Sequence, residues 1–85
     1  MLYAKGDPAS LDAAISEYRQ AIRLRPADAD VHYALGSALF QKRDFDAAIS
    51  EYREALRLAP DRALVREQLG RALLQKADGQ HRSEN

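Results

Sequence analysis

"FDAAISEYREALRLAP" at residues 45–60 restates "LDAAISEYRQAIRLRP" at residues 11–26, and 34 residues separate the two stretches. Sliding the chain against itself by that interval pairs residues 11–44 with 45–78, and 21 of the 34 pairs are identical. Most mismatches are mild, such as Ile22 against Leu56 or Gln20 against Glu54. Pro26 and Pro60 keep the same interval, so the punctuation repeats with the text. A fixed period of about 20–50 residues marks a stacked-repeat architecture.

Each unit divides into two amphipathic helices. Within 45–58, Phe45, Ala48, Ile49, Tyr52, Ala55 and Leu56 follow the three-four spacing of one helical face. The same pattern runs over 11–25. Residues 29–42 place Val31, Ala34, Leu35, Ala38 and Leu39 on one face, and 63–76 repeat this with Val65, Leu69, Ala72 and Leu73. Asp44, Asp28 and Asp61 precede helices, where a carboxylate accepts from free backbone N–H groups. Pro26 and Pro60 cannot continue a helix interior and bias the residue before them out of helical geometry. The connections are short, which forces neighbouring helices antiparallel. Gly36 and Gly70 fall inside helices at matching positions, where each costs about 1 kcal/mol relative to alanine. Their repetition predicts close approach between helices.

Composition narrows the function. The 85 residues balance 13 Lys plus Arg against 13 Asp plus Glu, leaving no net field to draw nucleic acid or an anionic membrane. With no cysteine there is no disulfide, thiolate metal site or Cys nucleophile. The opening MLYAKGD has no signal-peptide apolar region, and no apolar run approaches the roughly 18 residues of a spanning helix. A soluble chain in the cytoplasm is the default expectation.

The repeat resembles the tetratricopeptide repeat (TPR) family. Its pattern is matched at His32, Leu35, Gly36, Leu39, Ala48, Tyr52, Ala55 and Pro60. A preceding half-unit supplies Ala14, Tyr18, Ala21 and Pro26, and a following one Arg66, Leu69, Gly70 and Leu73. The resemblance covers about residues 2–78; departures are His32 and Arg66 where a large aromatic is usual, and Leu39 and Leu73 in place of tyrosine. It implies an all-α fold, a right-handed superhelical stack of helix-turn-helix hairpins. If the helices of a unit are A and B, the chain reads B1 (11–25), A2 (29–42), B2 (45–58), A3 (63–76).

This register leaves half-units at both ends. Residues 1–10 are expected to hold the last turn of a preceding A helix plus a loop, and 79–85 a disordered polar tail. Two repeats fall below the three such folds usually need. The B1 face (Leu11, Ile15, Tyr18, Ile22) and the A3 face (Val65, Leu69, Leu73) are expected to be partly bare. Two outcomes would cover them: A3 of one chain packing on B1 of another, giving a homo-oligomer, or further helices of a longer array.

No constellation for catalysis, cofactor or metal appears. His32 and His81 are far apart and fit no metal-ligand spacing, so His32 is expected to pack or lie at the surface. Ser16 and Ser50 have no histidine or lysine placed to activate them. Arg19, Arg23, Arg53 and Arg57 form a two-by-two array expected on the convex side, and the neighbouring Glu17, Glu51 and Glu54 mark it as a solvated face. The resemblance implies instead a concave groove, lined by A helices, that holds a peptide or partner helix. By register its residues are Asp30, Tyr33, Ser37, Phe40 and Gln41 from A2. From A3 they are Leu64, Glu67, Gln68, Arg71, Leu74 and Gln75. The expectation is a non-enzymatic interaction module with a protein or peptide partner, alternatively a self-assembly element.

Overall fold

A computed structural model describes residues 8–83 of the chain. Four helices follow in order: α1 Pro8–Leu24, α2 Ala29–Gln41, α3 Phe45–Leu58 and α4 Ala63–Ser83, with no strand among the described residues. Each packs chiefly on its neighbour in the chain, and the connections of three or four residues make successive helices antiparallel. The result is a right-handed stack of helical hairpins, about two repeats long.

Local chemistry sets the helix ends. Asp28 has extended backbone and its carboxylate accepts from Asp30 N at 3.0 Å and Val31 N at 3.4 Å. Asp44 accepts from Ala47 N at 3.4 Å at the start of α3. Between α2 and α3, Arg43 takes a left-handed conformation with φ 71°. Arg43 N then donates to Phe40 O and Asp44 N to Leu39 O, both at 2.9 Å, which closes the C-terminal turn of α2. The α1–α2 and α3–α4 connections share one geometry: Asp28 N donates to Arg25 O and Arg62 N to Ala59 O, each at 3.2 Å.

The core runs along the inner faces, from Ile15 on α1 through Leu35 and Leu39 to Ala48, Tyr52 and Val65. Tyr52 and Leu35 are the largest fully buried side chains; burying one such side chain contributes about 1.5–3 kcal/mol. Gly36 admits the Tyr52 ring, because a Cβ there would lie 2.7 and 2.8 Å from two ring carbons. Ion pairs repeat with the sequence: Lys42 meets Asp12, and Lys76 meets Asp46 at 2.7 Å.

Four expectations need correction. Residues 8–10 are not loop but the first turn of α1, since proline suits the first helical position, where its missing N–H costs nothing; residues 1–7 lie outside the described part. Helix α4 does not stop at Lys76. It runs to Ser83 because continuing the helix at Ala77 avoids the left-handed conformation, costly for a non-glycine residue, that its counterpart Arg43 adopts, so residues 79–83 are helical rather than a disordered tail; residues 84–85 lie outside the described part. Arg62, not Asp61, precedes α4, and its carbonyl accepts from Arg66 N at 3.2 Å; the period maps Asp28 onto Arg62, which offers no side-chain acceptor. Finally, the close approach expected at Gly70 is absent: a Cβ there would meet nothing within 4 Å.

Candidate protein-interaction surface

The groove residues of α2 are tied to the core. Tyr33 is half-buried with its ring centroid 5.8 Å from that of Tyr52. Ser37 accepts a hydrogen bond from the Tyr52 hydroxyl at 3.3 Å. Burial pushes the Tyr52 phenol above its ordinary range, with the Ser37 hydrogen bond and the Arg71 charge countering part of the effect. Phe40 packs edge-on against Phe45 at 5.3 Å, and the Arg43 guanidinium lies 5.5 Å from the centre of that ring. Asp30 pairs with Arg62, and Gln41 is exposed. On α4, Leu64, Glu67, Arg71, Leu74 and Gln75 are exposed, and Gln68 is half-buried.

Three of these residues share a cleft with α1. A cavity of about 260 Å³ opens between α1 and α2, with Leu11, Ala14 and Tyr18 on one wall and Tyr33, Ser37 and Gln41 on the other. The second wall is extended by Ala34 and Ala38. The α4 groove residues are not part of it. Small side chains at Ala14, Ala34 and Ala38 leave the room, while the tyrosines give its sides apolar surface with a polar tip.

The end faces are covered only in part. Ile15 and Val65 are buried in their own chain, and Leu11, Tyr18, Ile22 and Leu69 are half-buried against the same core. The apolar stripe serves the chain's own neighbour first and leaves the rest of each face partly open. Of the seven residues only Leu73 counts as exposed, at 40 %. The large apolar surface that does reach solvent is Leu24, Leu64, Leu73 and Leu74.

Sequence reasoning missed the role of His32. It is buried, with Nδ1 2.8 Å from Glu51 Oε1 and Nε2 2.8 Å from Pro26 O. The second copy repeats the latter contact with a different cation: Arg66 Nη2 donates to Pro60 O at 2.6 Å. The signal was the pair of nitrogen bases at matching positions where the family places an aromatic. On the solvent-facing side of α3, Arg57 Nε donates to both Glu54 oxygens at 3.1 Å. That hydrogen bond holds the Glu54 carboxyl below its usual range, and it engages one of the four arginines that a phosphate patch would need.

Among the described residues no group of three or more His, Cys, Asp or Glu is placed to hold a metal ion, and no helix is long and apolar enough to cross a membrane. Helical hairpins of 34-residue period stacked on a continuous core define a repeat solenoid. The tetratricopeptide repeat family model matches residues 2–63 and again 33–80, and the chain belongs to that family. No curated protein matches it. Tetratricopeptide repeats generally mediate protein–protein interaction.

Proposed function

We propose that the protein is a non-enzymatic interaction module that takes a peptide or a helix of a partner protein in the cleft between α1 and α2. The observation that carries this reading is the cleft itself, walled by Leu11, Ala14 and Tyr18 opposite Tyr33 and Ser37. Its wall is apolar with hydroxyl groups at intervals, the surface that receives the apolar face of an amphipathic helix. The α4 surface that carries Glu67, Arg71 and Leu74 extends the interaction face beyond the cleft.

A second reading is self-assembly, in which half-repeats are completed between chains. It is favoured by the four exposed leucines, Leu24, Leu64, Leu73 and Leu74.

The test is a titration with a panel of amphipathic helical peptides, followed residue by residue through backbone amide chemical shifts. Ligand-induced shifts should centre on Ala14, Tyr18, Tyr33 and Ser37, and Ala14→Arg, which fills the cleft, should remove them. No response, or one confined to the convex residues Arg53 and Arg57, overturns the reading.

A further inference from the structure

We infer that the helix seated in the cleft is α4 of a second copy of this chain, docked on α1 in the register that α2 holds on α3. The inference rests on reading the cleft as a helix-binding site. Its basis is that the contacts joining α2 to α3 are encoded twice, once as contacts made and once as half-contacts facing solvent.

Gly36 receives the ring of Tyr52. The counterparts are Gly70, with nothing within 4 Å of the Cβ it lacks, and Tyr18, which borders the cleft. His32 bonds to Glu51 at 2.8 Å; the counterparts are Arg66 and Glu17, both exposed and of opposite charge. Phe40 packs on Phe45 at 5.3 Å; the counterparts are Leu74, 71 % exposed, and Leu11, on the cleft wall. One docking event in this register would close all three.

The remaining exposed leucines fall in the same interface. Leu39 is 3 % exposed in the core, whereas its counterpart Leu73 is 40 % exposed. Antiparallel packing of α4 on α1 sets the start of one helix beside the end of the other. Leu64 of one copy and Leu24 of the other, 54 % and 83 % exposed, therefore meet. Shape, charge and apolar surface all specify the same occupant. The contact is heterologous, so copies add head to tail.

The experiment uses the full chain, which has no cysteine of its own. Mass measured by light scattering should rise with concentration. Gly70→Leu leaves the isolated chain's packing untouched, because that side of α4 is open, yet it should abolish the higher-mass species by blocking Tyr18. Mixing a Leu11→Cys chain with a Leu74→Cys chain under oxidation should give a cross-linked pair, which neither chain forms alone. The inference is overturned by a monomer at all concentrations, by association of Gly70→Leu equal to the parent, or by cross-linking of either variant with itself. Should Gly70→Leu fail to fold, the cysteine pair decides by itself. A monomer whose cleft still responds to helical peptides overturns only the second-copy assignment. A monomer with an unresponsive cleft overturns the cleft reading as well.

Discussion

Glu51 holds the imidazole of His32 across the α2–α3 interface, with Oε1 2.8 Å from Nδ1. The other ring nitrogen faces the carbonyl oxygen of Pro26, also at 2.8 Å. A carboxylate and a carbonyl only accept, so a neutral imidazole with its single N–H can serve one of them. Both contacts are satisfied only by the imidazolium. Burial by itself disfavours that charge, but the bonds to Glu51 and Pro26, together with the Glu51 and Glu54 charges, outweigh it and raise the His32 pKa.

A group whose pKa is raised on folding stabilises the fold fully below its unfolded value, about 6.5 for histidine. That contribution is lost as pH rises through the folded pKa. The melting temperature should therefore fall as pH is raised from below about 6.5 into the alkaline side of neutrality. Glu51→Gln, which removes the charge facing Nδ1, should flatten this dependence. Thermal melts at a series of pH values check both; a parent chain that grows more stable across that window contradicts the doubly bonded imidazolium.

Gly36 and Gly70 occupy the same repeat position and should respond to alanine with opposite signs. At Gly36 the new Cβ would sit 2.7 Å from a ring carbon of Tyr52 and 3.4 Å from Ala48 O. That ring is fully buried and cannot swing aside, so overpacking should cost about 1–3 kcal/mol. At Gly70 the space is open, and Gly70→Ala should gain about 0.8–1 kcal/mol from helix propensity. Urea melts at dilute concentration measure the difference between the two.

Why the fold could be read and parts of the surface could not comes down to what a repeat encodes. A pairing of 34 residues with 21 identities fixes the period, the helix pairs and the inward stripe. It does not say how wide the stripe is. Ile15 and Val65 were expected at the ends and are buried because one apolar face serves the chain's own neighbour. The contacts of His32 were hidden because Glu51 lies 19 residues away and the Pro26 partner is a backbone carbonyl. The missed cap is a different case, since the period itself maps Asp28 onto Arg62. The length of α4 was hidden because the period predicts at Ala77 the turn that Arg43 makes, and neither residue is a glycine that would favour turning over continuing.

Arg43 adopts φ 71° without being glycine, a conformation that costs other residues about 1–2 kcal/mol. Its guanidinium also lies over the Phe45 ring, so replacing it changes two things at once. Comparing Arg43→Gly with Arg43→Ala separates them, because both lose the ring contact and only alanine keeps the left-handed penalty. The glycine variant should be the more stable of the two by about 1 kcal/mol. Equal denaturation midpoints would mean that the turn relaxes out of this geometry.

The two helix starts offer the last comparison. Asp28 accepts from Asp30 N and Val31 N, so Asp28→Ala should cost about 1 kcal/mol through loss of the cap. Arg62 holds the equivalent place before α4, and its side chain pairs instead with exposed Asp30. Exposed pairs contribute at most about 1 kcal/mol and often nothing measurable. Arg62→Ser exchanges that pair for a side-chain oxygen able to accept from the first turn of α4, a gain of about 0.5–1 kcal/mol. The net effect should be neutral to stabilising, and least favourable at low salt, where the lost ion pair is strongest. Melting both variants at low and high salt tests this. A destabilised Arg62→Ser at high salt would mean that the Arg62–Asp30 pair does more than its exposure allows, holding α4 against α2.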